Sequence, residues 1–270
     1  MIPLADDWPT LRDRIRAAPS VALFLDYDGT LAPIASHPSR AVLPAKTKHL
    51  LAQVAQQPQL RVVIISGRAL SDVKRMVGVD GISYVGNHGL ELEEPPLRYV
   101  HAMARANRPV LRRAIRDLRV VQRQVPGAWV EDKQWTLSLH WRGVPESDRG
   151  RVQRLAARVM APYRRQEQVR LTPGKRVLEV RPPIRWGKGE MVRWLYQRMR
   201  ATTHATPPLL IYLGDDETDE EAFRTVNAYN GVSIVVGSAP YTSAGRWWLR
   251  RPSDVHRFLT RLLRARCQKP

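Results

Sequence analysis

The 270 residues predict a doubly wound parallel α/β core that carries a smaller inserted α+β unit. Three observations predict it. Four short runs, at 21–25, 62–65, 209–213 and 232–236, are almost continuously apolar, as strands are when both faces of their sheet are covered. Apolar stripes at helical spacing follow them: Met191, Val192, Leu195 and Met199, then Val255, Phe258, Leu259, Leu262 and Leu263. Strands alternating with helices imply a parallel sheet with helices on both sides. The middle of the chain breaks this rhythm, and that break marks the insert.

Within the middle segment, Val110, Leu111, Ala114, Ile115 and Leu118 mark one helix, and Val152, Leu155, Ala156 and Val159 mark a second. Each precedes a pair of strands, 128–131 with 135–141 and 168–171 with 176–180. A helix followed by two strands, occurring twice, suggests one open sheet covered on one side. Pro95-Pro96 and Pro182-Pro183 bracket the region and read as stiff linkers. The expected organisation is a core of residues 1–100 and 183–270 with a lid of residues 101–182 inserted into it.

Composition narrows the class of protein. No run approaches the roughly 18 apolar residues of a membrane-spanning helix. The first thirty residues lack the pattern of a secretory signal, and the single Cys267 has no partner for a disulfide. A cytoplasmic monomer with no membrane partner is expected. The net charge of +19 invites a polyanion-binding reading. However, the basic residues are mostly arginine and occur in every segment, with no zinc-finger spacing, aromatic RNA-binding signature or basic heptad. Charge spread over solvated helix faces, helping to attract anionic substrates, fits better, with no specific nucleic-acid partner.

The strongest local signal is the strand at 21–25 running into Asp26-Tyr27-Asp28-Gly29-Thr30. Ligands of open α/β sheets bind beyond the carboxyl ends of strands, and positions two apart on a strand face the same way. Asp26 and Asp28 are therefore candidates for one pocket. A second apolar strand ends in Gly214-Asp215-Asp216-Glu217-Thr218-Asp219-Glu220. Acidic capping of a helix N-terminus explains Glu217, Glu220 and Glu221 but leaves Asp215 and Asp216 over. Carboxylates gathered at two strand ends call for a cation, and Mg2+ suits a few carboxylates plus water and phosphate. Ser66, at the end of a third strand, can hydrogen-bond a phosphoryl oxygen or cap a helix. Lys188 near a helix start can place a charge on phosphate or simply be solvated.

Asp-Tyr-Asp-Gly-Thr at 26–30, Ser66, Lys188 and Gly-Asp-Asp-Glu-Thr-Asp at 214–219 together resemble, in order, the four motifs of the haloacid dehalogenase superfamily. Gly-Asn-His-Gly at 86–89 and the patterns EDKxxxLSLHWR at 131–142, TPGKxxLEVRP at 172–182 and GDDETDE at 214–220 are similar to those of trehalose-6-phosphate phosphatases. The tail from Ser243 also resembles that family, less closely at 247–249. The resemblance spans nearly the whole chain. It implies a Rossmann-like core with an α+β cap, and hydrolysis of trehalose 6-phosphate through an aspartyl-phosphate, the last step of trehalose biosynthesis.

The same resemblance implies roles. Asp26 is the nucleophile and Asp28 the general acid and base; Mg2+ is held by the Asp26 carboxylate, the Asp28 carbonyl and Asp215. A proton donor of this kind needs a raised pKa. Ser66 and Lys188 stabilise the phosphoryl group, with Asp216 and Asp219 behind them. Glu131, Lys133, Lys175 and Glu179, placed on lid strands, are expected to hydrogen-bond the sugar, with Arg142, His140, Asn87 and His88 as lesser candidates. Salt bridging on a wet sheet face is the plainer alternative for the lid set. Sucrose 6-phosphate and mannosyl-3-phosphoglycerate are rival substrates. A phosphomutase or a polyanion-binding protein on this fold are rival classes.

Overall fold

The computed structural model describes residues 1–35, 41–202, 206–238 and 242–267, and its contacts divide into two units. The first unit comprises Met1–Tyr99 and Trp186–Pro270. Its strands are β1 (Ile2–Pro3), β2 (Val21–Leu25), β3 (Leu60–Ile65), β4 (Ser83–Gly86), β5 (Glu91–Glu94), β6 (Leu97–Val100), β11 (Leu209–Gly214), β12 (Val232–Val236) and β13 (Trp247–Leu249). They form one sheet in the order β1-β13-β12-β11-β2-β3-β4-β5-β6. Every pair from β1 to β4 is parallel, and β5 joins antiparallel.

The order reverses between β2 and β11. From β2 the chain steps outward through β3 and β4, and from β11 it steps the other way through β12 and β13. A crevice opens at such a reversal, beyond the carboxyl ends of the two strands, and side chains following Leu25 and Gly214 emerge into it. The apolar runs are buried on both sides: Leu23, Leu25, Ile64, Leu213 and Ile234 enter one core cluster, while Phe24, Val63, Ile65 and Tyr212 enter the other. Helices α1 (Trp8–Ala17), α2 (Ala45–Ala55), α3 (Leu70–Val77) and α8 (Pro252–Cys267) contribute to the first cluster, and α6 (Lys188–Thr202) and α7 (Glu220–Ala228) to the second.

The second unit is Val100–Arg185. Its strands β7 (Trp129–Asp132), β8 (Leu137–His140), β9 (Arg170–Gly174) and β10 (Val177–Arg181) form an antiparallel sheet in the order β7-β8-β10-β9. Helices α4 (Ala102–Gln124) and α5 (Glu146–Arg165) cover one face through Leu111, Leu118, Val152 and Met160 packed with Leu137, Leu139 and Val180. The register aligns Glu131, Ser138, Glu179 and Thr172 in one row across the opposite face, because side chains alternate along each strand.

Two expectations need correction. Pro95-Pro96 is no interdomain linker: its cis peptide lies in the turn between β5 and β6, inside the first unit. The positive charge is also unevenly distributed. The second unit holds +13 of the +19, because it has 20 of the 44 basic residues and only 7 of the 25 acidic ones. Among the described residues no helix is long and apolar enough to cross a membrane.

Candidate active site

Asp26 is the first residue past β2, and its N–H donates to the Leu213 carbonyl on β11 at 2.9 Å. That bond ties the nucleophile candidate to the adjacent strand end. Its carboxylate accepts from Lys188 Nζ at 2.8 Å, and the same ammonium donates to Asp219 at 2.7 Å. Lys188 opens α6 and is 3% exposed. Burial works against its charge, but Asp219 and Asp26 outweigh burial and hold its pKa well above the ordinary value. The sequence motifs at 26, 188 and 219 thus meet in one buried cluster.

Asp219 is saturated. Besides Lys188 it accepts from Tyr212 Oη at 2.6 Å and from the backbone N–H groups of Asp215 and Asp216 at 3.0 and 3.2 Å. It is the anchor that aims Lys188, and it fixes the loop that carries Asp215. Asp216 corrects the sequence argument: it is the capping residue of the 3-10 turn Glu217–Asp219, accepting from the Thr218 N–H at 2.8 Å and from its hydroxyl at 2.6 Å. Helix capping explains this aspartate after all, while its charge is still felt by Lys188 and Asp26.

Asp26, Asp215 and Asp219 present carboxylate oxygens within 4.8 Å of one another. Three carboxylates against one ammonium leave two negative charges, the charge of one divalent cation. Burial, followed by the fields of Asp219 and Asp216, pushes Asp215 up to about 8. Burial likewise raises Asp26 well above the carboxylate range, Lys188 opposing and the three other aspartates adding to it. Carboxyls pushed this high are short of a counter-ion, so the donor set fits a hard divalent cation. With Asp219 committed to four hydrogen bonds, Asp26 and Asp215 are the side chains left to hold it.

Gly29 makes room for Asp215. Its φ is +83°, and a Cβ there would lie 1.9 Å from Asp215 Oδ2. Any other residue would displace the carboxylate or open the turn. Asp28, on the same turn, does not join the Lys188 cluster. Its two oxygens accept from Arg68 Nε and NH2 at 2.7 and 2.6 Å, a bidentate pair, and the guanidinium also lies 5.5 Å from the Tyr27 ring centroid. The sequence reading gave Arg68 no role. Its position two residues past Ser66 was the available signal, but no local pattern reveals a pair that spans forty residues.

Ser66 is 1% exposed and caps no helix; its Oγ accepts from the Arg68 N–H at 3.2 Å. Its carbonyl accepts from the His88 N–H at 2.9 Å, and Gly67 lets the imidazole pack close, since a Cβ there would lie 2.5 Å from the ring. His88 therefore borders the Ser66 loop. Asn87 is fully buried and donates to Glu91 at 2.6 Å, which also receives the Leu70 N–H.

In the second unit, Lys133 pairs with Glu179 at 2.9 Å, and Glu179 also accepts from Arg181 at 2.6 Å. Glu131 meets His140 Nε2 at 2.7 Å, and that ring stacks on Trp129 with centroids 4.2 Å apart. Lys175 is exposed in the turn between β9 and β10, not on a strand, and Arg142 is exposed just past β8.

A family model described as trehalose-phosphatase matches residues 24–251. The chain belongs to the trehalose-phosphatase family. It is 39% identical over 248 residues to a trehalose-phosphate phosphatase of Mycobacterium marinum, covering 90% of this chain and 62% of that one. Against the probable trehalose-phosphate phosphatase D of Arabidopsis thaliana it is 33% identical over 253 residues, covering 90% and 67%. The chain therefore spans about two thirds of the length of these curated relatives. Its fold resembles that of the C. albicans trehalose-6-phosphate phosphatase C-terminal domain, with a TM-score of 0.82, 23% identity, and 94% and 96% of the two chains covered. It also resembles a haloacid dehalogenase-like hydrolase from Bacteroides thetaiotaomicron, with a TM-score of 0.64, 14% identity, and 90% and 99% covered. The parallel α/β fold and the trehalose-phosphatase resemblance read from sequence are thereby borne out.

Two expected outcomes follow from the acidic cluster. Asp215 holds its proton in the fold up to about pH 8 but loses it near 3.8 when unfolded, so its contribution to metal-free stability falls as pH rises across that window. A cation meets less proton competition at the top of the window. Magnesium should therefore raise the melting temperature more at pH 9 than at pH 6 in scanning fluorimetry; equal shifts would contradict the assignment. Gly29→Ala should weaken magnesium binding in calorimetry and lower stability by at least about 1–2 kcal/mol, the cost of a left-handed residue with a Cβ.

Proposed function

We propose that this chain hydrolyses the phosphate monoester of trehalose 6-phosphate through an aspartyl-phosphate on Asp26. The observation that carries the reading is the meeting of Asp26, Lys188, Asp215 and Asp219 at the reversal point of the sheet, with Ser66 ending the neighbouring strand β3. Such a site joins a nucleophile to a fixed cation and a divalent-metal donor set, the parts that phosphoryl transfer needs. Asp26 and Asp215, with the Asp28 carbonyl, would hold Mg2+. When bound, the ion neutralises charge on the phosphoryl oxygens.

The chain's own groups account for the remaining steps. An Asp26 oxygen attacks phosphorus, the bond to the sugar 6-oxygen breaks, and Asp28 gives that oxygen a proton. Asp28 then takes a proton from the water that attacks the aspartyl-phosphate, which returns Asp26 and releases phosphate. Arg68 aims the Asp28 carboxylate with both of its donors, and Asp28 must exchange that partner for the leaving oxygen during turnover. Lys188 and the Ser66 hydroxyl stabilise the transferring group, while Asp219 keeps Lys188 charged and aimed.

Recognition of the sugar is assigned to the polar face of the second unit, above all Glu131, Lys133 and Glu179. These side chains are already paired and ordered, so a polyhydroxylated ligand meets a preorganised set of donors and acceptors. A sugar lacking the matching hydroxyls leaves such groups unmet, which discriminates strongly. A monomer acting on a small soluble substrate in the cytoplasm completes the reading.

Asp26→Asn should cut phosphate release from trehalose 6-phosphate by about 10^3-fold or more, the scale of losing a nucleophile, while the folded protein still binds the sugar phosphate. The assay is phosphate release with and without magnesium, and retained turnover in the variant would sink the nucleophile assignment. Glu179→Gln should raise KM for trehalose 6-phosphate about tenfold, one lost charge-assisted hydrogen bond, with a smaller change for a minimal phosphomonoester such as p-nitrophenyl phosphate. A panel including sucrose 6-phosphate and mannosyl-3-phosphoglycerate checks the substrate itself. Appearance of an isomerised sugar phosphate in place of free phosphate would indicate a mutase.

A further inference from the structure

The arginine excess has an organised location. On α4, Arg105, Arg112, Arg116, Arg119 and Arg123 recur at intervals of three, four or seven residues and are all exposed. They line one side of a helix whose buried residues, Leu111, Ala114, Leu118 and Val121, face the sheet. On α5, Arg151, Arg154, Arg158 and Arg165 repeat the pattern, opposite the buried Val152, Ala156 and Met160. The two helices are neighbours: Asn107 near the start of α4 donates to the Gln168 carbonyl just past α5, and Tyr163 on α5 donates to Asp117 on α4. They therefore lie antiparallel and present two basic rows on one layer.

None of these nine arginines takes part in an ion pair among the described residues. Asp132 pairs with Arg108 and feels Arg112 only at longer range, and Asp117 accepts from Tyr163. Arginines on and just before α8 in the first unit differ, since Arg251 and Arg257 share Asp254 and Arg261 lies over Trp8. A row of like charges without ion pairs costs stability through self-repulsion, which a polyanion lying on it would relieve.

We propose that the α4–α5 face of the second unit binds the phosphate backbone of duplex nucleic acid without reading its sequence. The α4 row spans about 27 Å at 1.5 Å per residue, with successive arginines from Arg112 to Arg123 roughly 5–6 Å apart and Arg105 about two turns before them. A duplex offers a continuous line of phosphates over that length, one charge per roughly 1.7 Å of axis. Arginine forks take phosphate oxygens in pairs. A lipid surface fits less well, because a membrane-lying helix inserts an apolar face. Here the apolar faces of both helices are already packed on the sheet, and Met103 is the one exposed large hydrophobic residue on either helix among those described. A protein partner would look for aromatic anchors that this layer does not offer.

The test is fluorescence anisotropy of the full chain with two labelled 20-base-pair duplexes of unrelated sequence, titrated over a range of salt. Expected are equal affinities for the two duplexes and a log–log salt slope near about −4, the value for four or five phosphates neutralised. The triple variant Arg112→Glu, Arg116→Glu, Arg119→Glu should bind at least about tenfold more weakly with a shallower slope, and keep its phosphate release unchanged. The control variant Arg251→Glu, Arg257→Glu, Arg264→Glu makes the same change in net charge on and just before α8 and should lose less than about threefold, as distant charges are screened. No salt-sensitive duplex binding, equal losses in both variants, or tighter binding to phosphatidylserine vesicles than to duplex would each overturn the proposal.

Discussion

One ammonium group holds the first unit's chemistry together. Lys188 Nζ sits between the carboxylates of Asp26 and Asp219, all three nearly or wholly buried. In a poorly solvated setting none of the three is affordable alone, since a charge left behind by loss of its partner costs several kcal/mol. The arrangement therefore has one stable pattern: Asp219 gives up its reactivity to four hydrogen bonds, Lys188 stays charged, and Asp26 is held between the ammonium and Asp215. Everything else in the crevice adapts to that triad, including a glycine at 29 and the lifted proton affinity of Asp215.

The sequence was most legible where both faces of an element are covered by the same unit. β2 and β12 announce themselves because each is five consecutive buried residues. The peripheral strands were silent for the opposite reason. β5 reads Glu-Leu-Glu-Glu and β13 is only Trp-Trp-Leu, so neither offers a run long or apolar enough to register. At the site, residue type at a strand end was informative for Asp26 and Ser66, and at a helix start for Lys188. It misjudged the acidic loop, where Asp216 and Asp219 look alike in sequence yet one caps a turn and the other anchors a lysine. That distinction depends on Tyr212 and two backbone donors brought in by the fold. Arg68 was missed for the same reason, because a bidentate pair between loops after β2 and β3 leaves no periodicity behind.

The two faces of the second unit's sheet have opposite electrostatic designs. On the strand face, Ser138 separates Glu131 from Glu179, and each carboxylate has its own partner: a histidine ring braced by Trp129, or Lys133 and Arg181. Charges there are matched side by side, so their fields cancel within a few ångströms. The helical layer behind the sheet pairs Arg108 and Arg149 but leaves the nine arginines of its outer rows without ion pairs, so its field reaches about a Debye length into solvent. One small unit thus combines a surface whose charged groups are locally partnered with one whose field reaches farther. The composition of the whole chain, averaged over both, conceals the difference.

The adjacency of β2 and β11 carries a consequence for how the protein assembles. These strands pair residue for residue from Val21 with Leu209 to Leu25 with Leu213, yet the entire second unit lies between them along the polypeptide. Bringing such remote segments together is entropically slow unless the intervening chain has already condensed. A second unit with its own buried cluster acts as a tether whose ends are brought near each other by its own folding. The crevice at the sheet reversal is then a late structure on the folding route, and catalytic competence would emerge only after the insert has collapsed.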